Sequence, residues 1–332
     1  MAQTIITAVG KYLPERVVPN AEIAPCLGVT DEWIIQRAGV RERRFAESGV
    51  GSARLGANAA KEALAQAKRS PDDIDCIICA TLTPDRTFPG NGMFIQSYLE
   101  MHNHCPVYDI GIQCSGFIYA LSMAHAFIQS GMYQRILVIG CEQHSSMMEM
   151  QPRSRDVSVL FGDGAGAVIV EAGNDASRGI VAVETHAEGR YADCLWIPDG
   201  MCVNAPRMTQ AMFDEGTWFP KMKGATVQKH AIKRMPEVVR SVVHQAGIRL
   251  DDVKLLICHQ ANLRLVELIG GTLGVGPERM LNNIDRYGNT TSASIPICLA
   301  EAVETNRIAA RDYVVLVGFG SGFAWGAVLL RW

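Results

Sequence analysis

Short runs of Val, Ile, Leu and Cys recur along the chain, separated by stretches in which apolar residues return every three or four positions. The continuous runs lie at 76–79, 107–112, 135–140, 166–170, 253–258, 313–318 and 326–330. Runs of this length, rich in β-branched residues, predict strands buried on both faces. Helical periodicity fills 52–68, 115–130 and 225–246. In the second of these, Phe117, Ala120, Leu121, Ala124, Phe127 and Ile128 share one face, and Gly131 supplies a stop. Strands covered by helices on both sides predict a layered α/β protein.

The pattern is also duplicated. Asp72-Asp73-Ile74-Asp75-Cys76-Ile77-Ile78-Cys79 matches Asp251-Asp252-Val253-Lys254-Leu255-Leu256-Ile257-Cys258 at an offset of 179, and 135–140 matches 313–318 at 178. Each later run leads through glycine into another strand, Gly166-Ala-Val-Ile-Val170 or Gly326-Ala-Val-Leu-Leu330. A nearly constant offset across two elements predicts two repeated halves, 1–174 and 175–332. They differ by insertions at about 141–163 and 190–222. The second insertion holds Met201, Met208, Met212, Trp218, Phe219 and Met222. These soft apolar side chains fit either ordinary packing or the wall of a tunnel for an acyl chain.

Composition narrows the function classes. The 332 residues are 48% hydrophobic and 20% charged, which excludes wholesale disorder. Thirty-one Lys and Arg against 34 Asp and Glu give a net charge of −3, so there is no global nucleic-acid signature. The N-terminus lacks the apolar core of a secretory signal, and the uncharged run 313–330 is broken by four glycines; neither suggests a membrane segment. Ten scattered cysteines, several inside strand runs, fit reduced thiols in the cytoplasm. Cys76 and Cys79 have CxxC spacing, but within a strand they face opposite sides.

Ligands in open α/β sheets gather at the carboxyl ends of strands, beside helix N-termini. Three chemically useful residues fall there. Cys114 follows the strand at 107–112 and precedes the helix at 115–130. A thiol at a helix N-terminus feels partial positive charge, which can lower its pKa to ~3.5–7.5. His259 follows the strand at 253–258, at the expected start of a helix. Asn289 precedes the helix that runs to about Thr305. Singly, each also suits a buried, capping or turn residue. Gly162-Asp163-Gly164-Ala165-Gly166 is followed by a strand instead of the helix a dinucleotide fingerprint requires, so no nucleotide cofactor is expected. Gly318-Phe319-Gly320-Ser321-Gly322 suits close backbone approach to a developing oxyanion. Zinc templates are absent, and no metal is expected.

The segments DEWIIQRAGVRERR, QCSGF, FGDGAGA, HQANLR, RYGNTTSAS and GFGSGFAWGA, in this order, resemble the thiolase-like condensing enzymes, and among them the β-ketoacyl-acyl-carrier-protein synthase III family. The resemblance spans nearly the whole chain. It implies a five-layered α/β/α/β/α sandwich of two similar halves, a homodimer, and acyl-CoA as a substrate with no further cofactor. It also implies that Cys114 attacks the acyl-CoA thioester. His259 and Asn289 would then stabilise the enolate left when malonyl-acyl-carrier protein loses CO2. Backbone N–H groups of Cys114 and Ser321 would form the oxyanion hole. Further roles carried by the resemblance place Trp33 and Arg155 around the adenine, Arg37 at phosphate, Met222, Gly224 and Asn262 along the pantetheine, and Arg264 at carrier-protein docking. Phe88 would reach into a partner's acyl pocket.

Two departures bear on substrate. Gln113 stands where ordinary initiators carry a small residue, and Gln228 occupies a gating position that is aromatic in some members. The helix after Arg264 lacks paired lysines. These features leave room for a longer primer, a malonyl-CoA donor or a quinolone- or polyketide-type pathway. A simple acyltransferase and a non-catalytic partner subunit are the other readings.

Overall fold

The structure, a computed structural model, describes residues 2–332. Two sheets carry it. The first is built from β1 (Gln3–Tyr12), β2 (Cys76–Ala80), β3 (Val107–Ile110), β4 (Arg135–Glu142) and β5 (Gly164–Gly173), in spatial order β1-β5-β4-β2-β3. The second is built from β6 (Gly179–Ala187), β7 (Val253–Cys258), β8 (Tyr313–Gly320) and β9 (Ala324–Arg331), in the order β6-β9-β8-β7. Directions repeat as well as order. The pairs β4–β2 and β8–β7 are parallel, whereas β1–β5, β5–β4, β6–β9 and β9–β8 are antiparallel. The first sheet alone adds an outer parallel strand, β3.

Helices form three layers around these sheets. They are α1 (Asp31–Ala38), α2 (Ser52–Ala67), α3 (Gly116–Gln129), α4 (Gly224–Gln245), α5 (Leu263–Leu273) and α6 (Ser294–Glu304). The central layer is α3 and α6. Phe117, Leu121 and Ile128 of one, with Ile295, Cys298 and Leu299 of the other, share a core with Ile78 and Val138 from the first sheet and Ile257 and Leu316 from the second. The alanine face of α2 covers the outer side of the first sheet, and α4 with α5 covers the second. The result is the five-layered thiolase-like α/β/α/β/α sandwich. Strands such as Cys-Ile-Ile-Cys-Ala of β2, buried at every position, are continuous apolar runs because helices lie on both faces. Among the described residues, no helix is long and apolar enough to cross a membrane.

Element boundaries near the site differ from the sequence reading in one consistent way. The helix expected over 115–130 opens with a 3₁₀ turn, Gln113–Ser115, before α3 proper. Asn289 is likewise separated from α6 by the 3₁₀ turn Thr291–Ala293, and His259 lies four residues ahead of α5 in non-helical backbone. Cys114 and His259 thus sit between a strand and a helix, whereas Asn289 sits between the short helix Ile284–Tyr287 and the 3₁₀ turn ahead of α6.

Candidate active site

Cys114 is held at the strand-to-helix corner leading into α3, with only 8% of its surface exposed. Strand β8 passes so close that a Cβ on Gly320 would stand 2.6 Å from the Cβ of Cys114; only glycine fits there. Backbone N–H groups of Cys114 and Ser321 are aimed at the sulfur and favour its ionised form. They are outweighed. Burial first, and the charge of Glu142 second, push the Cys114 thiol up to about 12. The expectation that the helix terminus lowers this pKa is therefore corrected: the resting sulfur is a protonated thiol, because desolvation exceeds the stabilisation from the nearby N–H groups.

His259 extends the pairing of β7 with β8 through its N–H, which donates to Val317 O at 2.8 Å. Its Nδ1 lies 2.7 Å from Ser294 Oγ, at the start of α6, while its buried Nε2 has no partner. Burial pushes the imidazole down to about 3, so it is neutral across the working pH range. Asn289 is stitched to the preceding loop in both directions: its N–H donates to Leu160 O at 2.7 Å, and its carbonyl accepts from Gly162 N at 3.2 Å. Thr291 N donates to the Asn289 Oδ1 at 2.8 Å, which orients the amide and leaves its NH2 group as the outward end. In both residues one polar end is pinned by the protein.

One cavity of about 740 Å³ is lined by Cys114, His259 and Asn289 together. Trp33, Arg37, Met222, Gly224, Gln228, Asn262 and Arg264 line the same space, so ten residues singled out from the sequence border one cavity. Arg155 and Phe88 are placed elsewhere. The guanidinium of Arg155 stands 5.9 Å from the Trp33 ring centroid, and that of Arg37 stands 5.5 Å away. A planar ring between Trp33 and Arg155 needs roughly 7 Å, two contact distances, so Arg155 must move outward to admit one. Arg37 also pairs with Asp156 at 3.2 Å. Asn262 caps α5, accepting from Arg264 N at 2.9 Å, and donates through Nδ2 to Arg37 O at 2.8 Å. Arg264 binds the Gln36 carbonyl through Nε. Phe88 is 83% exposed.

A second cavity of about 300 Å³ also reaches Cys114, on the side where Ser321 lies. Cys114 thus borders both cavities, together with Phe161 and Leu195. From the insertion at 190–222, Ala192, Leu195, Trp196, Ile197 and Pro220 line this smaller space. Of the six apolar residues noted in that insertion, only Met222 lines either cavity, and Met201 and Met208 are exposed.

Sequence reasoning missed Glu142 and His144. Glu142 is fully buried and pushed up to about 7 by burial, despite accepting from Ser292 Oγ at 2.7 Å and Thr83 Oγ1 at 2.8 Å. His144 is pushed down to about 3, bonds Thr291 Oγ1 through Nε2 at 2.6 Å, and stacks on Phe161. Both follow the apolar run at 135–140, at the carboxyl end of a strand. The signal that singled out His259 would have found them. Among the described residues, no group of three His, Cys, Asp or Glu side chains is placed to hold a metal ion.

Comparison with known proteins adds a family. Residues 108–189 match the model described as 3-oxoacyl-[acyl-carrier-protein (ACP)] synthase III, and residues 243–332 match the C-terminal model of the same description. The chain is 40% identical to a β-ketoacyl-[acyl-carrier-protein] synthase III of Agrobacterium fabrum over 336 aligned positions, covering 100% of each. A crystal structure of a 3-oxoacyl-[acyl-carrier-protein] synthase III from Aquifex aeolicus is similar at a TM-score of 0.90 and 38% identity, covering 99% of this chain and 100% of that one. The priming β-ketosynthase of the R1128 polyketide biosynthetic pathway is similar at 0.88 and 29%, with 99% and 96% covered.

Proposed function

This chain belongs to the 3-oxoacyl-[acyl-carrier-protein] synthase III family, and from that premise we propose that it is an acyltransferase of the decarboxylative condensing type. It joins an acyl-CoA primer to malonyl-acyl-carrier protein and yields a β-ketoacyl thioester, CoA and CO2. One observation supports this reading above the others: Cys114, the unpartnered Nε2 of His259 and the Asn289 amide border one cavity.

The Cys114 sulfur attacks the primer's carbonyl carbon. A C–S bond forms, the oxyanion takes the N–H groups of Cys114 and Ser321, and CoA leaves carrying the proton the thiol gives up. Malonyl-carrier protein then enters the vacated cavity. Its thioester oxygen accepts from His259 Nε2–H and the Asn289 amide, so the C–C bond to CO2 breaks with its electrons held as an enolate. The enolate carbon attacks the acyl-cysteine, a C–C bond forms as the C–S bond breaks, and the sulfur leaves as a thiolate that takes a proton from water. A neutral His259 serves this role as a hydrogen-bond donor with its ring hydrogen on Nε2, which requires the Ser294 hydroxyl to turn its one hydrogen from Thr291 O, 3.0 Å away, to His259 Nδ1 at 2.7 Å.

Trp33, Arg37 and Arg155 hold the nucleotide end of CoA, Met222, Gly224 and Asn262 border the pantetheine, and Arg264 meets the carrier protein at the cavity mouth. The ten unpaired cysteines fit a cytoplasmic enzyme. The exposed Phe88 fits a homodimer in which it covers the partner's primer cavity. The matching strand order of the two sheets supports the division into halves at 1–174 and 175–332.

A single-turnover experiment tests the chemistry. Enzyme loaded with primer and mixed with malonyl-carrier protein is expected to release one CO2 per β-ketoacyl product. His259→Ala is expected to keep primer loading and lose CO2 release by ~10²-fold or more. Product without CO2 would instead identify a simple acyltransferase.

A further inference from the structure

The smaller cavity speaks to the primer, given the reading of Cys114 as its acceptor. Its wall is built from Leu82, Met147, Met148, Val157, Trp196 and Ile197, with Cys114 at the inner corner. The polar residues Gln113, Ser158, Ser321, Thr291 and His144 also line it, and each is already paired: Ser158 Oγ donates to Glu149 O at 2.8 Å, Ser321 Oγ to Gln113 Oε1 at 3.0 Å, Gln113 Nε2 to Gly111 O at 3.0 Å, and His144 bonds Thr291 Oγ1 at 2.6 Å. The His144 ring is neutral, since burial holds it at about 3. An alkyl chain laid along this wall leaves no buried charge and breaks no hydrogen bond.

Size then sets length. An apolar cavity of about 150 Å³ takes benzene, six carbons. The space beside Cys114 is about 300 Å³ in one protomer, twice that, and this is its upper limit where the partner's Phe88 covers it. An acetyl group would fill a small corner and leave the apolar wall without contact. From this volume and lining we propose that the primer is a medium-chain acyl group of about eight to twelve carbons, and that Met147 and Val157 help to measure its length. Methionine suits such a wall, because its unbranched side chain adapts to a flexible occupant.

Acyl-CoAs of two, four, eight, ten, twelve and sixteen carbons, each mixed with the full-length enzyme, test this by the rate at which the chain gains the acyl mass. Each methylene buried is worth about fourfold. Six to eight extra methylenes therefore set a ceiling of roughly 10³–10⁵-fold, and octanoyl- or decanoyl-CoA is expected to load at least ~10²-fold faster than acetyl-CoA, with a fall at sixteen carbons. Acetyl-CoA loading as fast as decanoyl-CoA would overturn the inference and leave the condensing activity standing. Loading by no acyl-CoA would remove the activity itself. Met147→Trp and Val157→Phe each put bulk into the cavity and are expected to lower the decanoyl-to-acetyl rate ratio by ~10-fold or more. If both variants loaded acyl groups with the ratio unchanged, this wall would not be the ruler.

Discussion

The sulfur of Cys114 lies where three influences compete. Two backbone N–H groups favour its anion, while burial and the nearby Glu142 carboxylate disfavour it, and the second pair prevails. A thiol held up at about 12 ionises in concert with attack. Alkylation of the resting enzyme by iodoacetamide, read by mass at Cys114, is expected to speed up about tenfold per pH unit from pH 6 through 9. A plateau near pH 7 would show instead that a stable thiolate exists. The stability consequence has a definite sign. Between the unfolded thiol's ~8.5 and the folded value, the unfolded chain loses a proton that the native state keeps, so stability falls as pH rises through that window. The position of Cys114 ahead of a helix was legible in the sequence. Its protonation was not, because the burial and the Glu142 charge come from strands distant in the chain.

At the level of elements, the site is assembled from the turns after two strands, which carry Cys114 and His259, and the turn after the short helix Ile284–Tyr287, which carries Asn289. Strand β8 runs close against the corner that carries Cys114. Gly320→Ala would place a methyl 2.6 Å from the Cys114 Cβ, so strand and corner must separate. The expected outcome is a loss of primer loading of ~10²-fold or more, because the Ser321 N–H moves off the sulfur. Loading within threefold of the parent protein would mean that this backbone contact does not position the oxyanion donors. The glycine-rich segment at 318–322 was read from sequence as a site of close backbone approach, and the contact partner is what the fold adds. Helix starts were read three or four residues early at His259 and Asn289. Composition does not distinguish a helix's first turn from the 3₁₀ or extended residues that lead into it. The Ser294–His259 bond exists only because α6 begins against the end of β7.

Across the whole molecule, duplication explains the division of labour. The two sheets share a strand order, and Cys114 from beside the first lines one cavity with His259 and Asn289 from the later part of the chain. The offset of 179 made the two halves visible in the sequence, since buried parallel strands need apolar runs wherever they occur. The cavities were not visible, because each wall draws on both halves and on the insertion at 190–222. The central claim is that the sulfur of Cys114, which borders both cavities, accepts the primer, and peptide mapping of the loaded enzyme tests it most directly. Decanoyl-CoA followed by digestion under conditions that preserve thioesters is expected to leave one acyl group per chain, on the peptide containing Cys114, with the other nine cysteines unmodified. Acyl mass on any other peptide, or its persistence in Cys114→Ala, would contradict the account.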